Sequence, residues 1–100
     1  MVTFYVHHII KEGHESEGNK IVNQVTEWTR NQPGLIFRQV LRSQKDPKRL
    51  DTVASWQSID HYKAYMKTRP VRTEKDVEEE MKHFDVMTAT MFDVEDSINL

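Results

Sequence analysis

PGLIFRQVLRSQKDPKRLDTVASWQS, from Pro33 to Ser58, is the stretch that decides how this 100-residue chain folds. Leu35 to Arg42 is rich in β-branched and aromatic residues, with Ile36, Arg38 and Val40 on one parity and Leu35, Phe37 and Leu41 on the other. Ser43-Gln44-Lys45-Asp46-Pro47-Lys48 has the composition of a turn, and Leu50 to Trp56 resumes the extended pattern. Two strands joined by a charged turn are therefore expected. Before them, Asn31-Gln32-Pro33-Gly34 stops a helix. After them, the Ser58 hydroxyl can accept from amides of a first helical turn, and Asp60 suits the positive end of the helix dipole.

Upstream, Met1 to Ile10 is apolar on both parities and reads as a strand covered on both faces. From about Ser16 to Asn31, Ile21, Val22, Val25 and Trp28 recur at helical spacing. Gly18 lies at the start of that run, where glycine costs helix stability. Either the helix begins near Asn19, the account adopted here, or the missing side chain leaves room over the sheet. Downstream, Ile59, Tyr62, Tyr65 and Met66 form a second stripe that ends at Arg69-Pro70. Thr73 with Asp76 starts a third helix with the stripe Val77, Met81 and Phe84, and Asp85 to Val94 reads as a last strand. Strand, helix, strand, strand, helix, helix, strand is the order of an α+β, ferredoxin-like antiparallel four-stranded sheet with helices on one face. The bare face of such a sheet calls for a cover, and a second copy pairing sheet to sheet is the expected one.

Composition narrows the function classes. Fourteen Lys and Arg stand against 16 Asp and Glu, well mixed along the chain, so no nucleic-acid groove or membrane patch is expected. A length of 100 residues fits one domain, residues 1–100. The absence of Cys excludes disulfides, thiolate metal sites and Cys nucleophiles. The N-terminal run shows no basic segment, long apolar stretch or cleavage site, so a cytoplasmic protein without signal peptide or membrane span is expected.

Gln32-Pro33-Gly34-Leu35, Leu41-Arg42-Ser43, Asp46-Pro47 and Trp56-Gln57-Ser58, followed by Tyr62 and Tyr65, resemble the antibiotic biosynthesis monooxygenase family. The resemblance runs from Gly13 through Tyr65. It implies a dimeric α+β barrel with a small-molecule cavity between sheet and helices. In its best-known members it further implies oxygenation without a cofactor: a phenol or hydroquinone is deprotonated in an apolar pocket and its carbanion reduces dioxygen directly. The family's oxygenases carry an Asn four residues before the Trp, where this chain has Thr52, which offers one hydroxyl in place of an amide. They also use an Arg in the downstream helices, a region that holds Arg69 and Arg72 here, both expected in solvent. The family's haem degraders carry an Asn, a Trp and an iron-ligating His where this chain has Val6, Tyr65 and Lys75, so haem degradation is not expected.

Five histidines complete the candidates: His7, His8, His14, His61 and His83. Adjacent strand residues point to opposite faces, so His7 and His8 cannot hold one metal together. By the parity of the haem branch's Asn, His8 is the one expected to face the helices as a general base, the alternatives being a hydrogen-bonded core residue or a dimer-face histidine. His14 and His61, near helix starts, are expected to be exposed. No His and carboxylate fall at a metal-ligand spacing, so no metal is expected, and the resemblance implies that no cofactor is needed either. Trp56 is either a core wall or a pocket wall. The expected function is a monooxygenase-like enzyme for a small aromatic or quinol-type metabolite. His8 would be its base, with Thr52, Trp56 and Tyr65 lining the ligand site. A non-catalytic binding or stress-response module and a small-metabolite isomerase are the alternatives on the same fold.

Overall fold

Each strand forms where β-branched and aromatic residues concentrate, and each helix where apolar residues recur every three to four positions. The computed structural model describes residues 1–70 and 72–98. It orders them as β1 (Val2–Ile10), α1 (Glu15–Thr29), β2 (Leu35–Arg42), β3 (Arg49–Trp56), α2 (Ile59–Thr68), α3 (Glu74–Met81) and β4 (Phe84–Asp93). The strands make one antiparallel sheet in the order β2-β3-β1-β4. The connections β1-α1-β2 and β3-α2-α3-β4 each skip one strand, which makes the fold α+β and ferredoxin-like. No helix among the described residues is long and apolar enough to cross a membrane.

The expected punctuation is in place. Asn31, at φ 63°, and Gly34, at φ 83°, turn the chain out of α1. A side chain on Gly34 would also collide with the His61 imidazole, 2.2 Å from its Cγ. The Ser58 hydroxyl accepts from the His61 amide to cap α2, and Thr73 with Asp76 forms a reciprocal capping box on α3. Phe84 is not on the α3 stripe. It opens β4, where it is buried.

Gly18 overturns its expectation. Helix α1 begins at Glu15, so Gly18 is a helical residue, and it is buried. A methyl group there would lie 2.8 Å from Cγ2 of Ile10, whose exposure is 0%. Glycine is thus the residue that lets α1 rest on β1, and the close approach offsets its low helix propensity.

The helix-side core is divided. Ile10, Val22, Leu50 and Phe84 pack at one end of the strands, whereas Val2, Trp56 and Tyr65 pack at the other with Trp28, Leu35, Tyr62 and Met91 around them. The opposite sheet face carries no helix. There the Asp51 carboxylate accepts from the Tyr5 hydroxyl, from His7 Nδ1 at 2.7 Å and from Arg49 Nη2 at 3.0 Å. Burial would push the Asp51 carboxyl up, but these partners outweigh it and hold it far below the usual carboxylate range. Phe37, Leu41 and Phe92 stand exposed on or near the same face.

Gly18→Ala is expected to destabilise the fold by a net ~1 kcal/mol, because overpacking of about 1–3 kcal/mol exceeds the ~1 kcal/mol propensity gain. In an Ile10→Ala background, which lacks the colliding Cγ2, the same substitution should cost less stability in chemical denaturation. A Gly18→Ala protein more stable than the parent would contradict the close approach.

Candidate functional site

Between the two packed ends, sheet and helices enclose a cavity of about 290 Å³, near the lower end of small-molecule sites. Its floor is Phe4, Val6 and His8 of β1 with Thr52, Ala54 and Trp56 of β3, the inward residues of two paired strands. Helix α1 supplies Val22, Val25 and Thr29, and α2 supplies Tyr62, Tyr65 and Met66. The four site residues expected from the sequence, His8, Thr52, Trp56 and Tyr65, all line this one cavity.

His8 Nδ1 lies 2.8 Å from the Leu50 carbonyl oxygen. A carbonyl only accepts, so Nδ1 carries the proton, and in the neutral ring Nε2 is left with its lone pair. The imidazole is 7% exposed and packs against the Phe84 ring, with centroids 5.2 Å apart. Burial, above all, pushes its pKa below the ordinary 6.5, although the Leu50 bond pulls the other way. The result is a neutral histidine at the cavity wall with one nitrogen able to take a proton. His7, on the opposite parity, is engaged with Asp51 on the bare face.

Trp56 is 1% exposed and serves as core and cavity wall at once. Its indole stacks on Tyr65 with centroids 5.0 Å apart and planes 27° from parallel, and Tyr62 meets its edge. Thr29 Oγ1 donates its own proton to the Val25 carbonyl at 2.7 Å, so the Tyr65 hydroxyl, 2.8 Å away, must donate to Thr29. The Tyr65 proton is therefore committed to the helix layer, and Tyr65 presents mainly its ring to the cavity.

Three cationic side chains border the same space. Arg69 and Arg72, expected in solvent, instead lie over the Trp28 ring at 5.3 and 5.5 Å from its centroid, and both line the cavity. Arg72 is also paired with Glu80. Arg38 was legible only as a strand residue, yet it reaches the cavity from β2. Its register partner is Ala54, which places it on the helix side. Burial pushes its guanidinium pKa down, but it stays charged at any working pH.

Other expectations change as well. His14 and His61 are half-buried. His14 Nδ1 meets His83 Nδ1 at 3.0 Å, and His61 packs over Gly34. Neither His14 nor His83 lines the cavity, and no cluster of three or more metal-ligating residues forms among the described residues.

The family model for antibiotic biosynthesis monooxygenases matches residues 1–84, and the chain belongs to that family. A comparison with curated proteins finds no significant match. Among solved structures, Rv0793 from Mycobacterium tuberculosis superposes with a TM-score of 0.80 at 10% identity, over 98% of each chain. SnoaB, a cofactor-independent oxygenase from Streptomyces nogalater, gives 0.71 at 14% identity over 97% of this chain and 95% of its own. A variant of MhuD, whose structure holds two manganese protoporphyrin IX per active site, gives 0.67 at 17% identity over 99% of both chains. At such identities the likeness is one of fold.

The tautomer has a direct spectroscopic consequence. In nitrogen-resolved NMR of the histidine side chains, His8 is expected to titrate below 6.5 and, when neutral, to carry its proton on Nδ1. A midpoint above 6.5, or an Nε2–H tautomer, would remove the base from the cavity.

Proposed function

We propose that this member of the antibiotic biosynthesis monooxygenase family is a cofactor-independent monooxygenase-like enzyme acting on a small aromatic or quinol-type metabolite, with His8 as its base. The observation that carries this is the bond from His8 Nδ1 to the Leu50 carbonyl, which leaves Nε2 as a neutral acceptor beside an apolar cavity. The description of SnoaB as a cofactor-independent oxygenase points in the same direction.

His8 Nε2 takes the proton of a ring hydroxyl, and the resulting carbanion passes electrons to dioxygen. A carbon–oxygen bond forms at a ring carbon, whose C–H bond breaks as the O–O bond is cleaved, and the protons lost from that carbon and from the hydroxyl go into water. One oxygen remains as a quinone carbonyl and the other leaves as water, so the substrate supplies every electron. The Thr52 hydroxyl and the Trp56 indole N–H are the groups assigned to the oxygen anion, and Tyr65 offers its face to the ring. Phe4, Val6 and Ala54 keep the surroundings apolar, which favours the neutral histidine and excludes competing water.

A second copy of the chain belongs on the bare sheet face. The apolar and aromatic residues exposed there, and the fully hydrogen-bonded Asp51 at its middle, suit a covered surface. A homodimer is expected in sedimentation at micromolar concentration. Val53→Glu, which places a charge on the outward side of β3 beside Tyr5, should turn it into a monomer that keeps its fold. A parent protein that sediments as a monomer would overturn the pairing.

Oxygen uptake with a panel of anthrones and hydroquinones tests the chemistry. His8→Ala should lower the rate on an accepted substrate by about 10²–10⁴-fold. In the parent, the depressed His8 pKa means that kcat/KM falls with acid only below pH 6.5 and is flat above it, until the substrate itself titrates. Base-dependent turnover without oxygen uptake would indicate an isomerase, and ligands bound but unchanged would indicate a binding module.

A further inference from the structure

The charges around the cavity do not balance. Arg38, Arg69 and Arg72 line it, whereas Glu80 is the only carboxylate among the described residues that line it. Arg72 is already paired with Glu80. Arg69 lies over the Trp28 and Tyr65 rings, 5.3 and 5.8 Å from their centroids. Arg38 is placed differently. It is half-buried, and its Nε donates to Thr26 Oγ1 at 3.0 Å. Thr26 in turn gives its proton to the Val22 carbonyl at 3.1 Å, so this contact orients the guanidinium without neutralising it. No carboxylate of the described residues forms an ion pair with Arg38.

A cation withdrawn from water without a counter-charge is costly, and chains seldom keep one unless something else supplies the anion. Held by its Nε, the guanidinium retains the two terminal nitrogens, a planar fork that matches the two oxygens of a carboxylate. We propose that the cavity binds a small aromatic carboxylate, with Arg38 as the residue that anchors the carboxylate while the ring lies against Trp56 and Tyr65. The cavity of about 290 Å³ suits a mono- or bicyclic ring system. This deepens the function proposed above and rests on it for where the ligand sits.

Calorimetric titration with 1-naphthoate and its neutral near-isostere 1-naphthamide tests the anchor without requiring turnover. The parent is expected to prefer naphthoate by about tenfold or more. The preference should stay level between pH 7 and pH 9, because a guanidinium and a carboxylate both remain charged there, whereas a preference conferred by protonated histidine would vanish. Arg38→Met should reduce the preference to less than about threefold while leaving naphthamide binding in place, which also reports an intact cavity. Arg38→Lys should retain part of it. Equal affinity for the two probes, failure to bind either, or a preference that survives Arg38→Met would overturn the assignment. Oxygen uptake from a neutral hydroquinone judges the His8 chemistry separately. Turnover of the hydroquinone without an anion preference sinks the anchor alone, and the reverse result sinks the oxygenase alone.

Discussion

Trp56 stacked on Tyr65 is the contact on which the rest of this structure depends. Trp56 ends β3, Tyr65 lies in α2, and the Tyr65 hydroxyl is held by Thr29 in the last turn of α1. One stack and one hydrogen bond therefore join the sheet to both long helices at one end of the layer. At the other end, Gly18 lets α1 descend onto Ile10. Two tight points separated along a helix leave the middle unfilled, and the cavity lies between them. The division of the core costs packing that a 100-residue chain can ill spare, and the space it leaves has a histidine and three arginines set into a mostly apolar lining.

Strand β1 carries two histidines in succession and uses alternation to give them different surroundings. His7 faces outward, where the Asp51 carboxylate accepts its Nδ1 beside Arg49 and Tyr5. His8 faces inward, where burial holds it neutral and the Leu50 carbonyl selects its tautomer. A one-residue slip of β1 against β3 would exchange them, placing the charged network in the cavity and the free base on the outside. The register Val6 with Thr52 and His8 with Leu50 is thus as much a condition of the site as the residues themselves.

The stretch from Pro33 to Ser58 made the fold legible because its signals are local: a helix stop, alternation, a turn cluster and an N-cap each act within a few residues. That His8, Thr52, Trp56 and Tyr65 would come to one cavity was anticipated through the family resemblance, which supplied the positions of Trp56 and Thr52 and the parity of His8, while helical spacing supplied Tyr65. Gly18 was misread because propensity speaks only of the helix, whereas the position is decided by Ile10, which approaches from another strand. Arg38 was missed through a bulge. The register shift between Leu35 and Phe37 puts Leu35 and Arg38 on the same face although their parities differ, so simple alternation hides the relation. Arg69 and Arg72 were assigned to solvent because nothing in their own segment shows that Trp28, some forty residues earlier, offers them a ring.

Base and cation in this cavity act on each other. Burial is the main reason His8 resists protonation, and the positive charge of Arg38 adds to it, while Asp51 on the far side of the sheet works in the opposite sense. On the anchor proposed above, a carboxylate seated on Arg38 would offset that positive field and make Nε2 a stronger proton acceptor. A neutral ligand of the same shape would fill the same space without offsetting it. Under that proposal, discrimination between the two would operate twice, once through the ion pair and again through the proton affinity of His8, with no moving part beyond the ligand itself.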